Sequence, residues 1–189
     1  GIFMAFFMFY KEEKMKKLSV KEIVLAGFFL ALGLVLPFLT MQIPSFGSML
    51  LPMHIPVILC GFICGGPLGL IVGFIVPLLR SALFSMPPMF PTAIAMAFEL
   101  AAYGFLSGFL YNRLSKKTSN IYLSLIIAML GGRVVWGIVS VILYGMSGQS
   151  FAFAMFIAGA FSQAIPGIIL QLILIPAIII ALQKARLIK

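Results

Sequence analysis

Apolar runs of about twenty residues, parted by short clusters of Pro, Gly, Ser and charge, organise almost the whole chain. An α-helix rises ~1.5 Å per residue, so a hydrocarbon layer ~30 Å thick takes about 20 apolar residues to cross. On that measure the pattern predicts six spans. The first covers about 20–39, with Pro37 near its end and the segment MQIPSFGSMLLPMHIP after it. The second, 52–64, is short and closes at Gly65-Gly66-Pro67. The third covers 68–84 and stops at Met86-Pro87-Pro88; the fourth covers 91–111, with Pro91 suited to a first helical turn. The polar linker NRLSKKTSN leads to a fifth span at 121–144. A sixth, at 151–182, carries Pro166 and Pro176.

The first ten residues, GIFMAFFMFY, are apolar but too short to span. They precede the charged run KEEKM, the reverse of a signal peptide's order. Lys and Glu codons are purine-rich, as a ribosome-binding site is, and this run stands just before Met15. The expected native start is therefore Met15, with 1–14 as leader. Residues 1–16 are read as a cytoplasmic lead-in and 17–189 as one six-helix membrane domain.

Composition narrows the class. Hydrophobic residues make up 63% of the 189 and charged residues 9%, where a soluble domain is about half apolar and a quarter charged. Too little polar side chain remains to cover a water-facing surface, which excludes a soluble globule, a disordered chain and a disulfide scaffold. The expectation is an all-α polytopic membrane protein. The net charge of +9 is then a matter of topology and not of nucleic-acid binding. Eleven of the thirteen Lys and Arg fall before span 1, between spans 4 and 5, or after span 6. With six spans these three clusters share one side, and the positive-inside rule puts both termini in the cytoplasm. Cys60 and Cys64 share a helix face inside an apolar run and read as small buried hydrophobes. With one histidine, His54, in the whole chain, no metal site can be assembled.

Candidate chemistry lies in the charges that remain. Arg80, Glu99 and Arg133 fall inside spans, where burial of a charge costs ~2.5–3.5 kcal/mol on the mildest scale. Such groups face the bundle interior, either to pin helices together or to line a substrate site. Counted from the outer end of each span, Arg80 is roughly 6–8 Å deep, Glu99 roughly 12 Å, Arg133 roughly 17 Å and Gln163 roughly 18 Å. That depth favours a cavity opening outward. Trp136 is three residues from Arg133, while Met96 and Tyr103 flank Glu99 at i−3 and i+4, so they share those faces. His54 and the polar segment 40–54 complete the outer side, as a lid or as a plain connector. No catalytic set forms. There is no Asp, one His and one intramembrane Glu, and neither HExxH nor a Walker A lysine motif occurs. An enzyme is not expected, and no cofactor is implied.

Several stretches together resemble the substrate-binding S components of energy-coupling factor (ECF) vitamin transporters. They are the small-residue span 1 with Ala26, Gly27 and Ala31, LLPMHIPVILCGFICGGPLGLIVGFIVPLLRSALF in spans 2–3, MPPMFPTAIAMAFE entering span 4, and GGRVVWG in span 5. The resemblance covers about 17–185. It implies a vitamin-capture subunit of the bacterial plasma membrane, working with a transmembrane coupling (T) component and two cytoplasmic ATPases. It further implies docking of the coupling component on span 1, here at Gly27 and Ala31, with Gly replacing the first Ala of the family's AxxxA. The family's site near the outer surface maps to Glu99, Arg133, Trp136 and Gln163, with Arg80 at its edge. A Glu on span 4 is similar to thiamine-type members and favours hydroxymethylpyrimidine or pyridoxine. Two Arg against one Glu would instead suit an anion such as pantothenate. Outside the family, a small ion-coupled secondary transporter would use Glu99 as its coupling group.

Overall fold

The computed structural model describes residues 18–40, 50–146, 148, 157 and 164–188. The expected leader, most of the 40–54 lid and Gln163 lie outside the described residues. Every regular element among the described residues is helical: α1 (Val20–Thr40), α2 (His54–Cys64), α3 (Gly66–Phe84), α4 (Ile94–Arg113), α5 (Thr118–Met146) and α6 (Ile165–Lys184). Five are long and apolar enough to cross a membrane. The protein is an all-α polytopic membrane protein.

Local chemistry sets the helix ends. Ser19 and Glu22 form a reciprocal cap on α1: Ser19 N–H donates to Glu22 Oε2 at 2.9 Å, and Glu22 N–H to Ser19 Oγ at 3.2 Å. Gly65 stops α2 with φ +94, a backbone conformation open to glycine. Before α4, Phe90 precedes a proline and is extended, so the chain enters through a wide turn, Met89–Ala93, in which Ala93 N–H reaches Pro88 O at 2.9 Å.

The second predicted span, 52–64, is found as α2, its ends within two residues of those expected. At 11 residues α2 is about 16 Å long, half of a bilayer. It is buried from His54 to Phe62 without a break and packs on α1, α3, α4 and α6. A helix that is apolar on every side belongs in a core. Wrapped by its neighbours, α2 need not reach both membrane faces.

Glycines set the spacing of this core. A Cβ on Gly73 would collide with the Leu100 carbonyl, and one on Gly104 with the backbone of Gly69. Backbone therefore meets backbone where α3 crosses α4, the close approach that small residues permit in lipid. Gly69 and Gly73, four residues apart on α3, therefore serve internal packing. Gly27 is the opposite case, with nothing within 4 Å of a Cβ there. It and Ala31 lie on the exposed side of α1, with Val24, Phe28 and Val35.

One end of the bundle is fixed by a polar bond. Gln183 Nε2 on α6 donates to Tyr111 Oη on α4 at 2.7 Å, and Phe62 of α2 meets the Tyr111 ring edge-to-face at 5.1 Å. Arg113, Lys116 and Lys117 follow Tyr111, and Lys184 and Arg186 follow Gln183, so this bond brings two of the basic clusters to the same end.

Candidate substrate-binding site

Each helix contributes its polar group at a position that its packing dictates. Glu99 belongs to the buried face of α4, with Ala95, Tyr103 and Ser107 at helical spacing. Arg133 belongs to the buried face of α5, with Met129, Gly137 and Ser140. The two meet in the core: Arg133 Nη1 donates to Glu99 Oε1 at 2.8 Å. His54, the first residue of α2, is held by its backbone N–H on Leu51 O at 3.0 Å. That places its Nε2 at 3.6 Å from the same Glu99 oxygen. Its ring meets Tyr103 edge-to-face at 5.2 Å. Tyr103 in turn occupies the space beside Gly132, where any Cβ would strike its ring. The glycine before Arg133 thus makes room for the aromatic that positions His54.

The cluster is buried and under-bonded. Glu99 and His54 are 2% exposed, Tyr103 1% and Arg133 6%. Yet Arg133 Nε and Nη2, and both ring nitrogens of His54, have no hydrogen-bond partner among the described residues. The same holds for Ser140 Oγ, seven residues beyond Arg133 on the same face of α5, and for both amide atoms of Gln171 on α6. A buried polar group without a partner costs ~1–3 kcal/mol, and native interiors hold few of them. The Arg133 and His54 nitrogens at the Glu99 carboxylate offer donors and an acceptor that a polar ligand would complete.

The remaining predicted residues are placed as follows. Met96 is half-buried and packs against the core, and Trp136 is half-buried on α5. Arg80 is buried but faces α1: its Nη1 donates to Leu34 O at 2.6 Å, and its guanidinium lies 4.6 Å from the Phe38 ring centroid. Its charge is directed at α1 rather than into the Glu99 cluster. The sequence reading missed Gln171, which is wholly buried. The signal was there: Gln171 is an amide in the middle of an apolar run between Pro166 and Pro176, and the rule that flagged Gln163 applies to it equally. Among the described residues no group of three His, Cys, Asp or Glu could hold a metal ion.

A family model described as "ECF transporter, substrate-specific component" matches residues 21–179. No curated protein and no solved structure matches.

Proposed function

The chain belongs to the family of ECF transporter substrate-specific components, and from that premise we propose that its Glu99–Arg133–His54 cluster captures a water-soluble vitamin of the pyrimidine or pyridine type, hydroxymethylpyrimidine or pyridoxine. Membership makes it a substrate-binding subunit that works with a T component and ATPases. In this reading it works in the bacterial plasma membrane.

The observation that carries the reading is the shared Glu99 oxygen. Arg133 donates to it, His54 stands beside it, and both retain unpartnered nitrogens. Arg133 and Glu99 offset each other, and the Arg80 guanidinium is directed at α1, where it donates to the Leu34 carbonyl. The cluster itself therefore holds one cation against one anion, which favours an uncharged ring over an anion. A carboxylate offers about four lone-pair positions, so Glu99 retains room for a ring amino or hydroxyl group. A second reading, pantothenate, is favoured by the free Nε–Nη2 edge of Arg133, which suits a carboxylate fork. That fork would set two carboxylates against one guanidinium.

On α1, the open Gly27–Ala31 face fits close approach by a helix of the T component. Titration calorimetry of the detergent-purified chain against hydroxymethylpyrimidine, pyridoxine and pantothenate tests the reading. The expected result is tight binding of one of the two heterocycles, lost in Glu99→Gln. Pantothenate binding alone would establish the second reading. No binding of any of the three would overturn both.

A further inference from the structure

We propose that Gln171 is a substrate-contacting residue, and that it reads an amino group next to a ring nitrogen, the edge of an aminopyrimidine. This rests on the vitamin-binding reading above and narrows it.

Depth places Gln171 with the cluster. Tyr111 on α4 and Gln183 on α6 are bonded at one end of the bundle. Glu99 precedes Tyr111 by twelve residues, and Gln171 precedes Gln183 by the same number. Both helices run the same way from that bond. At 1.5 Å per residue both side chains therefore stand about 18 Å above it. Direction agrees. Gly167, Gln171, Ile175 and Ile179 form the buried stripe of α6 at i+4 spacing, and α6 packs on α2 and α5, the helices that carry His54 and Arg133.

Chemistry identifies what is read. The amide is fully buried, and neither Oε1 nor Nε2 has a partner among the described residues. A buried amide without partners contributes nothing to the stability of the empty protein and costs desolvation. A primary carboxamide presents one acceptor and one donor side by side in one plane. Its complement is a donor beside an acceptor, the pattern by which Gln and Asn pair with the amino group and ring nitrogen of adenine. A 4-aminopyrimidine carries that pair and has a second amino N–H left for a carboxylate. Pyridoxine has no donor next to its ring nitrogen. The secondary amide of pantothenate points its N–H and C=O to opposite sides.

The experiment uses the full chain in detergent. The probes are 4-amino-5-hydroxymethyl-2-methylpyrimidine, its 4-deamino analogue, pyridoxine and pantothenate. The variants are Gln171→Met, which keeps the length, and Gln171→Asn, which withdraws the amide. Wild type is expected to prefer the amino compound over the deamino one by at least tenfold. Both variants should bind the amino compound at least tenfold more weakly and lose the preference. The unliganded melting temperature should stay level or rise in Gln171→Met, since no bond in the empty protein is lost. If both variants bind like wild type while Glu99→Gln does not, Gln171 is outside the site, and the vitamin reading stands without it. Preference of wild type for pyridoxine or pantothenate overturns the aminopyrimidine edge alone, and that comparison holds even if a variant fails to fold. If wild type binds none of the four, the inference and the reading beneath it fall together.

Discussion

Arg133 and Glu99 stand 34 positions apart in the chain, yet their side chains share a 2.8 Å hydrogen bond between two helices that a membrane must surround. The pair does two things at once. It ties α4 to α5, and it leaves Nε and Nη2 of the guanidinium without partners among the described residues. A bridge meant only to pin helices would be expected to use up its donors; this one leaves two guanidinium nitrogens, with three N–H groups, over.

The pair therefore separates stability from binding. Removing one partner strands the other charge, at about 3–5 kcal/mol. Arg133→Met should lower the melting temperature markedly and reduce vitamin affinity by at least tenfold. The double variant Glu99→Gln with Arg133→Met should recover much of the stability and none of the affinity. Calorimetry and thermal melts on the same samples check this. Recovery of binding in the double variant would mean that the pair is scaffold alone.

Arg80 should behave differently from Arg133. Its bond to Leu34 O and its place over Phe38 tie α3 to α1. Arg80→Ala should cost roughly 1–3 kcal/mol of stability and change the dissociation constant less than threefold. A loss comparable with that of Arg133→Met would bring Arg80 back into the site.

Glycines on the two sides of the bundle should give opposite results. Gly104→Leu must push α4 off the backbone of Gly69 and should prevent folding. Gly27→Leu and Ala31→Leu meet open space or the exposed side of α1, so the purified variants should fold and bind vitamin normally. In cells they should abolish uptake, because bulk there holds a partner helix away. Binding and uptake lost together would place Gly27 and Ala31 in internal packing.

The elements that were legible in the sequence are those with a strong local signal. Spans 1, 3 and 4 begin and end within a few residues of α1, α3 and α4, because Pro and Gly punctuate them. Arg80, Glu99 and Arg133 were expected to face the bundle interior, since lipid makes an exposed charge costly, but which arginine meets Glu99 was left open; the structure pairs it with Arg133. Hydropathy registers length and polarity but not which neighbours surround a helix. It therefore placed α2 within two residues of its ends but gave no sign that nine consecutive residues of it are buried in the core. It grouped Arg80 with Glu99 by depth alone, although rotation about α3 turns the guanidinium to α1. Gln171 was passed over because Ile and Leu dominate its run; that its amide is buried with no partner among the described residues is something only packing can show.

The last prediction concerns energy coupling. Reconstituted alone in liposomes, the chain should bind labelled vitamin and fail to concentrate it under an imposed proton or sodium gradient. A carboxylate that carries protons across must give up its partner in every cycle. Here Glu99 would have to release Arg133, leaving a buried guanidinium unpaired at a cost of several kcal/mol. The outer segments 40–51, 85–90 and 145–150 also contain no charged residue. The positive-inside rule accounts for the missing Lys and Arg but says little about the missing Asp and Glu. A subunit that reorients as a body would drag each such charge through lipid, so their absence fits movement driven by partner ATPases. Vitamin inside the liposomes and outside should therefore equilibrate at most. Accumulation above the external concentration, driven by either gradient without any partner, would sink the partner-driven picture and make Glu99 the coupling group of a secondary transporter.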